Sequence, residues 1–201
     1  MPNPKIIFID WYKTLSNSLF WEQSNDFKTI SQWLFKENSN LINPWMKGEY
    51  TAEAICKKIA FGTKLDFNQI FNSLIESCQK MSYSRPEIPR LIKNIRKKGI
   101  KVVIATDNMD TFSRFTKPGL KLGNIFNDFL ISYDLKILKQ ETELESIPFF
   151  EKYLQDRGLK NEEVVLIDDG DDKTGVYGKL GLKIDLVKSS NDVVNFLEKY
   201  S

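Results

Sequence analysis

The segment that most constrains this chain is Lys5-Ile6-Ile7-Phe8-Ile9, which runs directly into Asp10-Trp11-Tyr12-Lys13-Thr14-Leu15. A short apolar run without alternation describes a strand buried on both faces, as in a parallel sheet covered by helices. In open α/β sheets, ligands bind just beyond the carboxyl ends of the strands. Asp10 stands at such an end, with Thr14 four residues on, so a nucleophilic carboxylate and a hydroxyl share one turn. The competing reading is an Asp that only forms the turn.

Beyond Thr14 the pattern becomes helical. Phe27, Ile30, Trp33 and Leu34 recur at helical spacing, Thr51 is placed to cap a helix through Ile55 and Ile59, and Asp66 to cap another through Ile75. Arg85-Pro86 marks a boundary, and Pro86 suits the start of a helix running to Lys98, which Gly99 ends. Strands then alternate with helices: Lys101–Ala105, Phe129–Ile131, a helix over Ile147–Gln155, Glu163–Ile167, Lys183–Val187 and a closing helix from Asn191. Such alternation means βαβ units and a parallel, right-handed sheet. The expected architecture is α/β: a Rossmann-like core with helices on both faces over residues 1–15 and 86–201, and an inserted all-helical cap over 16–85.

The 201 residues contain no histidine, which excludes Ser-His and Cys-His pairs and any His-ligated zinc or iron. Chemistry must therefore run on carboxylates, lysines, hydroxyls and an oxygen-ligated metal. With 29 basic against 27 acidic residues there is no footprint for nucleic acid, and Lys93–Lys101 reads as a solvated helix face. No apolar stretch is long enough for a membrane span, and no signal peptide is recognisable. Cys56 and Cys78 lie in helical patterns, and the expectation is a cytoplasmic protein with reduced core thiols.

Parallel strands present their carboxyl ends on one side, so Asp10, Thr106 and the pair Asp168-Asp169 are expected to meet. Clustered carboxylates repel one another and call for a cation, and all-oxygen ligation favours Mg²⁺. Asp171 and Asp172 read as surface or helix-starting acids. Lys139, seven residues after Ser132, is placed to neutralise an anion, and Lys136 competes with it.

Taken in order, these elements resemble the haloacid dehalogenase-like (HAD) hydrolases, of the type with a helical cap. Asp10-Trp11-Tyr12-Lys13-Thr14 is similar to a variant of that family's first motif, and Val102-Val103-Ile104-Ala105-Thr106 to its second. The Ser132-to-Lys139 interval is similar to the third, and Val164 to Asp169 with Gly181 to the fourth. Lys47-Gly48-Glu49-Tyr50-Thr51 also looks like the turn that opens a cap helix. The resemblance implies Asp10 as a nucleophile forming an aspartyl intermediate, with Thr106 and Lys139 holding the substrate anion. It implies Mg²⁺ held by Asp10, the Tyr12 backbone carbonyl, Asp168 and Asp169.

The departures are specific. Family phosphatases carry a second Asp, which protonates the leaving group, where this chain has Tyr12. A phenol is a much weaker acid, and losing general-acid help costs about 10²–10⁴-fold. Lys13 replaces a usual Gly, Gln140 a usual Pro, and Lys173 stands after the acidic pair where an ion pair within the cluster is one outcome. The leading expectation is a Mg²⁺-dependent phosphatase acting on a small phosphorylated substrate, weak or restricted to good leaving groups. The alternatives are a 2-haloacid dehalogenase, whose members carry Tyr at the position of Tyr12, and a degenerate binding protein of the same fold. Substrate choice is expected to lie in the cap, where Trp21, Trp33, Trp45 and Phe61 read first as cap core and second as pocket lining.

Overall fold

The computed structural model describes residues 3–143 and 145–201. Five strands, β1 (Ile6–Ile9), β2 (Lys101–Thr106), β3 (Asp128–Ile131), β4 (Val164–Asp168) and β5 (Lys183–Leu186), form one sheet in the order β3-β2-β1-β4-β5. All pairings are parallel, with Ile9 opposite both Ile104 and Ile167. Strand β1 is therefore central, and the chain reverses its direction of winding between β1 and β4. That switch point is where an open α/β sheet leaves a crevice.

The helices follow in chain order: α1 (Phe27–Ser31, continuing as a π-helical turn over Gln32–Glu37), α2 (Ile42–Met46), α3 (Ala52–Thr63), α4 (Phe67–Gln79) and α5 (Ile88–Lys97). A broken helical segment covers Phe112–Asn124, and then come α6 (Ser132–Leu135), α7 (Pro148–Gln155), α8 (Val176–Lys179) and α9 (Ser190–Tyr200). Among the described residues no strand interrupts the block between β1 and α5. Thr51 and Asp66 cap α3 and α4 as expected, through Ala54 N to Thr51 Oγ1 at 3.3 Å and Gln69 N to Asp66 Oδ1 at 2.9 Å. The start of α5 differs from expectation: Arg85 and Pro86 lie in the turn before it, and Pro89 takes the tolerant position in its first turn.

Alternate strand residues face two cores. Ile7, Ile9, Ile104 and Ile167 pack with α5, α9 and the helical block, whereas Ile6, Phe8, Val103 and Leu166 pack under α7 with Phe150 and Tyr153. Both faces are covered, which is why β1 is apolar throughout. The first core runs without a break from the sheet into the helical block through Trp11, Trp21 and Trp45. Burying an aromatic of that size contributes about 2–3 kcal/mol. No helix among the described residues is long and apolar enough to cross a membrane.

Candidate active site

Strand order brings the candidates together. Asp10 follows β1, Asp168 ends β4 and Thr106 ends β2, so three adjacent strands deliver a carboxylate, a carboxylate and a hydroxyl to one edge. Asp10, Asp168 and Thr106 are buried, and Asp169 is half-buried beside them. One oxygen each from Asp10, Asp168 and Asp169 lie within 4.8 Å of one another. Lys139 is buried between them, with Nζ 3.0 Å from Asp10 Oδ1 and 2.5 Å from Asp168 Oδ2.

Lys139 is held by its backbone on both sides. Its N–H donates to Asp107 Oδ1 at 3.0 Å, and its carbonyl accepts the Tyr177 hydroxyl. Asp168 is fixed by accepting Gly170 N at 2.8 Å. Lys136, the competing lysine, is exposed, adopts φ +64° and lays its ammonium over the Tyr133 ring, 4.3 Å from the centroid. The structure therefore brings Lys139 and not Lys136 to the acidic edge.

Electrostatics mark Asp10. Burial raises its pKa to about 7, Lys139 opposes that rise and Asp168 adds to it. Asp10 Oδ1 is buried without a hydrogen-bond partner, since the Lys139 contact is an ion pair lacking hydrogen-bond geometry. Burial works against the Lys139 ammonium, but Asp10, Asp168 and Asp107 outweigh it and hold its pKa above the ordinary lysine value. Burial and then Asp168 raise Asp169. A cavity of about 500 Å³ opens onto this cluster, with Tyr12, Gln140, Thr142 and Lys173 on its walls.

Many solved structures are similar to this one, and three of them bear on the site. The HAD-family enzyme bt-2542 from Bacteroides thetaiotaomicron, in complex with magnesium and inorganic phosphate, aligns over 93% of this chain and 96% of its own (TM-score 0.69, 17% identity). A predicted HAD-like hydrolase from Porphyromonas gingivalis aligns over 98% of both chains (TM-score 0.70, 14% identity). The chain has the haloacid dehalogenase-like fold. The L-2-haloacid dehalogenase from Xanthobacter autotrophicus, with chloropropionic acid covalently bound, also shares this HAD fold over 93% of this chain and 80% of its own (TM-score 0.62, 12% identity). No protein-family model matches the sequence, and no curated protein matches it.

Within this HAD fold, Tyr12 is 41% exposed at the cavity, with the Lys13 ammonium 5.5 Å from its ring centroid. Lys13 adopts φ +59°, the left-handed conformation that glycine takes freely and that costs other residues about 1–2 kcal/mol. Lys173 is exposed on the cavity wall and makes no ion pair among the described residues. Asp172, read from sequence as a surface or helix-starting acid, is half-buried on that wall and accepts Gly178 N of α8 at 2.8 Å. Trp21 and Trp45 are buried core, Trp33 is half-buried against Gly62, and Phe61 is 80% exposed, neither core nor pocket. None of the four lines the cavity.

Sequence reasoning missed Asp107 and Tyr177 at the site and, away from it, buried Asp110. Asp110 accepts Trp45 Nε1 at 2.8 Å, Ala52 N at 3.1 Å and Arg114 Nη1 at 2.7 Å and, with Arg114 gripping Glu53, latches α3. Asp107 adjoins Thr106, which was a usable signal; Tyr177 meets Lys139 from 38 residues away, and nothing local announced it.

Proposed function

We propose that this chain is a phosphohydrolase in which Asp10 is the nucleophile. The observation that carries the reading is the convergence of Asp10, Asp168 and Asp169 around a buried lysine at the sheet's switch point. In support stand the magnesium and phosphate of the bt-2542 complex, which shares the fold. We further read residues 1–15 and 86–201 as the catalytic core and 16–85 as its cap.

The donor set fits Mg²⁺. It is all oxygen, it holds three acids against one buried ammonium, and Asp10 Oδ1, though ion-paired with Lys139, has no hydrogen-bond partner. Asp10, the Tyr12 carbonyl, Asp168 and Asp169 would hold the ion. Bound there, Mg²⁺ would supply positive charge against the phosphate and keep Asp10 ionised at neutral pH.

The chain's own groups do the rest. Asp10 attacks phosphorus, forming a carboxylate-to-phosphorus bond as the ester oxygen leaves with its electron pair. Lys139 and Thr106 hold the phosphoryl oxygens as charge shifts onto them. Water then cleaves the aspartyl phosphate, releasing phosphate and returning Asp10. Tyr12 is the residue facing the leaving group and supplies a proton poorly, so substrates with good leaving groups turn over best.

The rival reading is 2-haloacid dehalogenase chemistry, favoured by Tyr12. Against it, Asp168 and Asp169 add negative charge beside an anionic substrate. The deciding experiment compares p-nitrophenyl phosphate and acetyl phosphate, with and without Mg²⁺, against chloride release from 2-chloropropionate. Mg²⁺-dependent phosphate release supports the proposal, and metal-independent chloride release overturns it.

A further inference from the structure

A second cavity, of about 760 Å³, lies away from Asp10. Its walls are α5 and residues 124–127, which lead into the amino end of β3. Asn127 Oδ1 accepts Val102 N at 2.9 Å near the start of β2, so this wall belongs to the sheet's amino edge, whereas Asp10 follows a carboxyl end. The volume is that of a ligand pocket, about 300–1,000 Å³.

Its charge is one-sided. Arg90, Lys93, Arg96 and Lys97 line it, and no acid does. They recur at three- and four-residue intervals, so they share one face of α5. None of the four forms an ion pair among the described residues. The acids that adjoin these walls in sequence are taken, Glu87 by Arg85 at 2.8 Å and Asp128 by Arg157 at 3.1 Å. Reading Lys93–Lys101 as a solvated helix face is right for the exposure of Lys93 and Lys97, and leaves out what that face encloses.

Helix stability accounts for only part of the set. The macrodipole favours Arg96 and Lys97 in the last turn of α5, but opposes Arg90 in the first. Lys93 and Lys97 are like charges one turn apart, and they repel.

The opposite wall is fixed. Arg96 Nη1 donates to Asn124 O at 3.1 Å and Ile125 O at 2.7 Å, which pins the guanidinium across the cavity. Its Nε and Nη2 have no partner among the described residues, and the Asn127 Nδ2 amide is left as a donor because its oxygen is engaged. The cavity therefore offers positive charge and N–H donors, the pattern that recognises phosphate oxygens. One phosphate carries about two charges and would balance half of the four cations. Those cations extend over about 10 Å of helix, the reach of a chain of phosphates.

We infer that this cavity binds an oligophosphate, inorganic or carried by a nucleotide, at a site separate from Asp10. Its concave shape and the chain's near-neutral charge of +2 favour a small molecule over a nucleic-acid strand.

Titration calorimetry on the full chain tests this in EDTA, so that no Mg²⁺ draws phosphate to Asp10. The probes are inorganic triphosphate, ATP, AMP, inorganic phosphate and a short single-stranded RNA. Triphosphate and ATP should bind at least about 10-fold more tightly than AMP or phosphate, and less tightly as salt rises. Joint substitution of Lys93→Gln and Lys97→Gln should weaken triphosphate at least about 10-fold. Arg96→Lys, which keeps the charge and loses the fork, should weaken it about 3- to 10-fold. Asp10→Asn should not change that affinity, and thermal melts should show every variant folded. Equal binding of triphosphate and ATP would assign recognition to the phosphate chain alone, and tighter ATP would add its nucleoside. The inference is overturned if triphosphate does not bind at millimolar concentration or binds no better than phosphate. It is equally overturned if the lysine variant keeps full affinity, if Asp10→Asn abolishes binding, or if RNA outbinds triphosphate through the same lysines.

Discussion

Two buried carboxylate clusters sit on this fold, and they solve the same electrostatic problem differently. Asp110 is buried with an arginine, an indole N–H and a backbone N–H, so both its oxygens accept hydrogen bonds. Asp10 is buried with one lysine shared between two acids, keeps an oxygen without a hydrogen-bond partner and faces a cavity of about 500 Å³. Arg114 pulls Glu53 down to about 2, whereas burial pushes Asp10 up to about 7. A satisfied cluster holds a structure together. An under-satisfied one at a strand end is arranged for something that binds there.

The widest separation between the two clusters is expected from removing their central acids. Asp10→Asn should lower phosphate release by at least about 10³-fold, with the melting temperature little changed. Steady-state assay beside a thermal melt checks both halves. Retained turnover would mean that Asp10 is not the nucleophile.

Asp110→Asn should do the reverse. It presents an amide N–H to donors and is expected to lose about 2–3 kcal/mol in urea unfolding, with Mg²⁺ response preserved. If stability is unchanged, the latch is not holding α3.

Tyr12→Asp sharpens the reading of the site itself. Restoring a carboxylic acid beside the leaving group should raise turnover of alkyl phosphates by about 10²-fold, and of p-nitrophenyl phosphate much less, because its leaving group needs little help. The gain should require Mg²⁺, since the variant adds a carboxylate to an acidic cluster. Equal gains for both substrates would contradict a missing general acid.

The smallest effect concerns acid. The folded-state value of about 2 for Glu53 lies below its ordinary 4.5, so its charged form stabilises the fold at neutral pH. That contribution is complete above about pH 4.5 and is lost as pH falls toward 2. Glu53→Gln should flatten the decline in stability across that window. The pair is part-exposed, so the change should be under about 1 kcal/mol and shrink in salt. An unchanged acid limb would show that Arg114 is not paired in solution.

The sheet was legible because Ile6–Ile9 and Val102–Ala105 have no polar face to offer and cannot be surface strands. Asp10, Thr106 and Asp168 were legible because each follows such a run. Lys139 against Lys136 was not, because three residues decide nothing until the backbone turns left-handed at Lys136 and sends it to Tyr133. The Asp110–Arg114 latch was half visible, as an i,i+4 pair, but its partners Trp45, Ala52 and Glu53 come from 58 to 65 residues away. The first reading of the helical block's aromatic residues, as core, holds for Trp21 and Trp45 and fails for Phe61, which is exposed. Trp21 and Trp45 fill a core continuous with the sheet and leave nothing to a pocket.

The central claim is that the Asp10–Asp168–Asp169 cluster awaits a divalent cation and the Asp110 cluster does not. A thermal-shift titration with Mg²⁺ at neutral pH tests it on three proteins. Wild type and Asp110→Asn should both rise in melting temperature with millimolar Mg²⁺, from their different starting points, and Asp169→Ala should lose the rise. No Mg²⁺ dependence in the wild type, or an undiminished rise in Asp169→Ala, would contradict the account.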